Sequence, residues 1–110
     1  MTKISDAEVL RKWQQLQQSA KNRGIEFDLS FIAVKNILRA KRCHYTKIPF
    51  GEVVGSARSV DRINPNKGYV HGNVVACCES FNFLKNKVEH LGKDGVGEVV
   101  KALNKVYKRM

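Results

Sequence analysis

SVDRINPNKGYVHGNVVACCESFNFLK, residues 59–85, is the stretch whose reading decides the fold. Ser59-Val-Asp-Arg-Ile63, a short run carrying the β-branched Val60 and Ile63 and followed by turn residues, predicts a strand. Asn64-Pro-Asn-Lys-Gly68 is a turn-rich loop, because proline presets φ while asparagine and glycine accept conformations that other residues avoid. Val70–Val74 is expected to begin the return strand, and helix is expected from Val74 or Val75 to about Lys87. Asp61 then sits in a strand, Asn73 at the end of a loop, and Asn82 and Lys85 on a helix. A hairpin packed against a helix can bring one oxygen donor from each to a common point. A hard divalent cation needs that arrangement, with a few protein oxygens and the other positions left for water and a phosphate oxygen. Such an ion stabilises the charge that develops as a phosphodiester breaks.

Upstream, Ser5-Asp-Ala-Glu8 reads as a capping box: the Ser5 hydroxyl accepts from the Glu8 N–H and the Glu8 carboxylate reaches back to the Ser5 N–H. Ala7, Leu10, Trp13, Leu16 and Ala20 recur at three- and four-residue steps, so a helix over about 6–22 is expected to bury that face, with Gly24 as its stop. Gln14, Gln15 and Gln18 form its outer, solvated face. Residues Ile25–Leu29 read as an extended connector. Ser30 caps a second helix with Phe31, Val34, Ile37 and Leu38 as its buried stripe. From Cys43 to Val70, prolines and glycines punctuate short β-branched runs, which predicts turns and short strands. Downstream, Gly92, Gly95 and Gly97 read as a flexible joint before a last amphipathic helix, Val96–Arg109. Its Val99, Val100, Leu103, Val106 and Tyr107 are expected to face the core.

The chain has 110 residues, enough for one domain with a modest core. The parts expected are a helical region 1–42, a hairpin-and-helix region 43–88 and a C-terminal helix 93–110, together an α+β fold. An apolar fraction of 43% and a charged fraction of 27% are those of an ordinary globular protein. No apolar run reaches membrane-spanning length, and the N-terminus turns polar too soon for a signal peptide, so a cytosolic location is expected. Three cysteines, two of them adjacent, make a poor disulfide framework and suit a reducing compartment. Twenty Lys and Arg against ten Asp and Glu leave a net charge of +10. The surplus clusters at Lys35, Arg39, Lys41, Arg42 and Lys47, and again at Lys101, Lys105, Lys108 and Arg109. Part of the first cluster complements a helix dipole; the whole suits either a solubilising face or a surface for polyanions.

The ordered set Asp61-Arg-Ile63, Lys67-Gly-Tyr69, Gly72-Asn-Val74 and Asn82-x-x-Lys85 resembles the HNH, or His-Me finger, endonucleases, many of them encoded by phages and mobile elements. Phe27-Asp-Leu29 and Cys43-His-Tyr-Thr46 with Ile48-Pro49 are similar to the lead-in of the phage-type members, so the resemblance spans roughly residues 27–87. It implies a ββα-metal core in which Asp61 is the strand-side and Asn82 the helix-side ligand of Mg²⁺ or a similar ion such as Mn²⁺. It also implies that Asn73 ties the loop to the hairpin, that Lys85 faces DNA phosphates, and that Gly68 and Gly72 permit tight backbone geometry. Contacts to DNA are expected mainly at the phosphate backbone, through Arg62, Lys67, Lys85, Arg39, Lys41 and Arg42.

Arg62 stands where the family's general base, a histidine, usually stands. An arginine stays protonated and cannot take a proton from water, although it can bind a phosphoryl group through two donors. Members with the same Asp-Arg-Ile form make this a subfamily trait. His71, near the loop end, is the candidate substitute base; His44 reads as a local hydrogen-bonding group and His90 has no supporting context. Many relatives carry two Cys-x-x-Cys pairs for zinc. Here Thr46 and Phe81 replace one member of each pair, so the thiols and Phe81 are expected to pack as apolar core instead. The expected function is a metal-dependent DNA endonuclease or nickase acting as a monomer or weak homodimer. The alternative is a catalytically inactive DNA-binding or inhibitory protein on the same fold. A phage origin would place either in the bacterial host cytoplasm.

Overall fold

A computed structural model describes residues 4–51 and 54–110. Positions 52 and 53, part of the expected turn-and-strand stretch, lie outside them. Among the described residues, four helices and one antiparallel hairpin make the α+β fold, in the order α1 (Asp6–Arg23), α2 (Phe31–Leu38), β1 (Arg58–Arg62), β2 (Val74–Cys78), α3 (Glu79–Val88) and α4 (Gly92–Arg109), with a 3-10 turn at Glu89–Leu91.

The capping box starts α1: Glu8 N donates to Ser5 Oγ at 3.2 Å and Ser5 N to Glu8 Oε1 at 3.4 Å. Gly24, in the left-handed region at φ 65°, ends it. The buried stripe is rotated from the one expected. Val9, Leu16 and Ala20 are buried, whereas Ala7 and Leu10 are exposed. Val9, Trp13, Leu16 and Ala20 also follow helical spacing, and the Trp13 indole N–H donates to the Leu29 carbonyl at 2.7 Å. That bond to the next segment fixes the rotation, which no periodicity within the helix could. Ser5→Ala removes the hydroxyl that accepts the Glu8 N–H, and we expect a loss of about 1 kcal/mol in urea unfolding.

Ser30 Oγ accepts from Ala33 N at 3.0 Å to start α2, whose Val34 and Leu38 pack into the cluster containing Val9, Leu16, Ala20, Leu29, Tyr69 and Val74. Lys35 is engaged with α1: its Nζ lies 2.9 Å from Asp6 Oδ1 and holds that carboxyl below its ordinary range.

Val74–Cys78 is strand rather than the start of a helix. It pairs with β1 in the register Arg62↔Val74, Asp61↔Val75 and Val60↔Ala76, and α3 begins only at Glu79. Val74, Ala76, Cys77 and Cys78 are all buried. A short apolar run buried on both faces has no alternation, so its sequence does not distinguish strand from helix. Residues 70–73 form a turn, with Asn73 N donating to Val70 O at 3.0 Å and Gly72 at φ 84°. The return strand therefore starts at Val74 and not at Val70.

The connector before α2 does more than connect. Tyr69 N donates to Glu26 O at 2.9 Å and Asp28 N to Tyr69 O at 3.1 Å, a parallel bridge between Phe27 and Tyr69. It straps the helical N-terminal part to the loop between the strands. A second apolar cluster holds the buried Cys43, Cys77 and Cys78 against Tyr45, Phe50 and Phe81. Burial, together with the neighbouring Cys43, pushes the Cys77 thiol up to about 12.

The three late glycines do not form a joint before α4, because the helix begins at Gly92 and includes Gly95 and Gly97. Its apolar stripe does not face the core either. No residue of α4 is buried, and Val100, Leu103, Val106 and Tyr107 are exposed. Among the described residues its main packing is against the 3-10 turn and α3, which leaves the stripe uncovered. Among the described residues no helix is long and apolar enough to cross a membrane.

Candidate functional site

Asp61 and Asn82 line one polar cleft of about 290 Å³, together with Arg23, Val60, Arg62, Pro65, Tyr69, Lys85, Asn86 and Glu89. The hairpin supplies Asp61 from β1, and α3, packed on both strands, supplies Asn82 and Lys85 from one face three residues apart.

Asp61 is 5% exposed and fully engaged. Tyr45 Oη donates to its Oδ2 at 2.8 Å, and Lys85 Nζ lies 3.4 Å from its Oδ1. Tyr45 is held in turn by Phe81, with ring centroids 5.0 Å apart, and by His44 edge-on at 5.0 Å. Burial and the adjacent Asp61 carboxylate raise the Tyr45 phenol well above its ordinary range, so it remains a hydrogen-bond donor. Asn82 Nδ2 donates to Ser59 Oγ at 3.2 Å, and Ser59 donates onward to Cys77 O at 2.8 Å. Anchored by its NH₂ group, Asn82 keeps its carbonyl oxygen as the atom available to an ion.

Lys85 does not face outward as the phosphate contact expected of it. Its ammonium turns inward onto Arg62 O at 3.1 Å and Glu89 Oε2 at 3.0 Å as well as Asp61. The cause is electrostatic: two carboxylates and a carbonyl lie within its reach in a half-closed cleft, where such attractions are screened less than at an open surface.

Arg62 lines the cleft but is partly committed to the loop. Its Nη1 donates to Pro65 O at 3.2 Å and to Lys67 O at 2.9 Å, and its guanidinium carbon sits 5.6 Å from the centre of the Tyr69 ring. Asn73, buried, binds the same loop from the other end. It accepts from Asn64 N at 2.9 Å and donates to Asn64 O at 3.2 Å and Gly68 O at 2.9 Å. Asn73→Ala would leave the Gly68 carbonyl and the Asn64 N–H without these partners. We expect a loss of about 2 kcal/mol in chemical unfolding, and faster hydrogen exchange at the Asn64 amide.

His71 is exposed and is not among the described residues lining the cleft. Its backbone N–H donates to Asp28 Oδ1 at 2.7 Å at the tip of the 70–73 turn, which sets it on the connector side. Lys67, Arg39, Lys41 and Arg42 are exposed and also lie outside the cleft lining, with Arg42 Nη1 donating to Lys47 O at 3.0 Å. Among the described residues no group of three or more His, Cys, Asp or Glu side chains is placed to hold a metal ion.

Arg23, Tyr45, Asn86 and Glu89 line or support the cleft and carry no role in the sequence reading. Arg23, in the last turn of α1, donates from Nη1 to Tyr69 Oη at 3.2 Å and so enters a cleft built mainly from residues 60–89. No local motif marks it. Tyr45 belongs to the Cys43-His-Tyr-Thr46 lead-in, which was a usable signal. Glu89 lies four residues beyond Lys85, a spacing that suits an ion pair on a helix.

Comparison with known proteins finds no matching family model and no matching solved structure. It does find an Enterobacteria phage T4 protein, described as an uncharacterized 29.0 kDa protein in the dda-modA intergenic region. The two are 37% identical over 79 residues, or 71% of this chain and 32% of the phage protein. The chain thus spans about a third of the length of the phage protein to which it is similar.

Proposed function

We propose that this chain is an HNH-type, metal-dependent DNA endonuclease or nickase whose ββα core is β1, β2 and α3. The observation that carries the reading is that Asp61, from the strand, and Asn82, from the helix, line one cleft whose wall also bears Arg23 and Arg62. The donor set fits a hard divalent ion: a carboxylate held by Tyr45 and a carboxamide held by Ser59, in a cleft with room for solvent and a phosphate oxygen. Asp61 and Asn82 would hold Mg²⁺ or Mn²⁺. When bound, the ion supplies charge stabilisation at the phosphate under attack and at the leaving oxygen.

The chain's own residues account for the rest. Tyr45 fixes the Asp61 carboxylate by accepting no proton and giving one hydrogen bond. Arg62 uses one nitrogen on the loop and keeps its other donors for a phosphate oxygen, with Arg23 on the same wall as a second cation. Arg62 cannot act as the base, so the proton of the attacking water goes to another group or to solvent. The exposed Arg39, Lys41 and Arg42, outside the cleft lining, would supply further cations for a duplex backbone. The phage T4 relative supports a phage setting, and action in the cytoplasm of a bacterial host follows from that setting.

A second reading, a DNA-binding or inhibitory protein that does not cut, is favoured by one observation. The described residues lining the cleft include no histidine. Supercoiled plasmid incubated with the pure chain separates the two. Nicking that requires Mg²⁺ or Mn²⁺ and stops with EDTA supports the endonuclease. Binding that weakens steeply with salt, with no nicking under any metal condition, replaces it with the binder.

A further inference from the structure

The ammonium of Lys85 sits as a cation would in the proposed site. Three oxygens surround it, Asp61 Oδ1 at 3.4 Å, the Arg62 carbonyl at 3.1 Å and Glu89 Oε2 at 3.0 Å, and its side chain is only 12% exposed. By contrast, the Lys101–Glu98 pair on α4 is 73% exposed on both sides, so close packing of Lys85 is not a general habit of this chain's lysines. We infer that Lys85 is the resident counter-ion of Asp61 in the metal-free protein, and that a divalent ion binds by exchange, displacing the ammonium while Glu89 keeps hold of it.

This inference rests on the proposed metal site and adds a role for two residues of this chain. A divalent ion close to Asp61 and an ammonium on the same carboxylate repel each other strongly in a partly closed cleft. Lys85 has a long flexible stem, so it can leave Asp61 and remain near Glu89, four residues on along the helix. The move turns its charge from the interior of the cleft toward the mouth, where a phosphate would lie. Lys85 would thus be a positioning residue: it keeps the buried Asp61 carboxylate paired until the ion arrives.

The test uses the full chain and Mn²⁺ alone as probe. Free Mn²⁺ is titrated by electron paramagnetic resonance with wild type, Lys85→Met and Asp61→Asn. Removing the competing ammonium is expected to tighten Mn²⁺ binding on the order of tenfold or more, while Asp61→Asn weakens it by a similar factor. In parallel, wild-type protein is labelled with an amine-specific reagent, with and without saturating Mn²⁺, and read by mass spectrometry. Labelling of Lys85 should rise severalfold with the ion while that of Lys101 stays constant.

The labelling arm needs no variant, so it decides the matter if Lys85→Met fails to fold. Lys85 that stays protected at saturating Mn²⁺, or Lys85→Met that folds and binds no tighter than wild type, overturns the exchange. If Asp61→Asn still weakens binding in that case, the metal site stands without it. Mn²⁺ binding that Asp61→Asn leaves unchanged, or no binding by wild type and Lys85→Met alike, overturns both.

Discussion

Asp61→Ala is expected to remove metal-dependent nicking, by about a thousandfold or more, because the variant loses the only carboxylate supplied by the hairpin strands to the cleft. The same substitution strips Tyr45 of its acceptor and Lys85 of one of its two carboxylates, so stability should fall by about 1–3 kcal/mol. Loss of activity could then be blamed on a loosened fold. Asp61→Asn separates the two effects. Its carboxamide oxygen still accepts from Tyr45, so most of the stability should return, while the negative charge that holds an ion does not. Rate is read from conversion of supercoiled to open-circular plasmid, and stability from urea unfolding of the same samples. Full EDTA-sensitive nicking by a folded Asp61→Asn protein would remove Asp61 from the machinery.

The second large effect is structural. Gly68→Ala is expected to lower stability by about 3 kcal/mol or more, a large share of what a domain of this size possesses. The reason is not a left-handed backbone. A Cβ at Gly68 would collide with the backbone of Glu26, the carbonyl that Tyr69 N–H binds at 2.9 Å. Backbone cannot step aside as a flexible side chain can, so the strap between the connector and the loop must part. Gly72 is the control. It has φ 84° and nothing within 4 Å of a built Cβ, so Gly72→Ala meets only conformational strain, about 1 kcal/mol. A Gly68→Ala protein that unfolds within 1 kcal/mol of wild type would show that the approach of the two segments is adaptable. The strap also holds Tyr69, and through it Arg23, at the cleft wall. Gly68→Ala should therefore weaken DNA binding as well, and salt dependence of the residual binding should become shallower as a phosphate contact is lost.

What could be read from residues 59–85 depended on how local each signal is. The β-branched residues of Ser59-Val-Asp-Arg-Ile63, the proline and glycine of the loop and, upstream, the two serine caps act through neighbours within about four residues, and the chain places them where their chemistry requires. Asp61 on a strand follows from the β-branched residues around it, and Asn82 with Lys85 on one helical face from their three-residue spacing. The composition likewise settles the charge excess and the lack of a membrane-length apolar run. The rest depended on partners distant in sequence. Val74–Cys78 is a strand because β1 offers its ladder and both faces are covered, neither of which its own apolar run records. The rotation of α1 follows from one bond between Trp13 and Leu29, and the exposed stripe of α4 from its packing mainly on α3 and the 3-10 turn among the described residues. Only the tertiary structure brought Arg23 to the cleft, set Tyr45 on Asp61 and turned Lys85 inward. Those positions are decided by where charges and acceptors meet after the strap closes, and Coulomb attraction depends on distance through space rather than on separation along the chain.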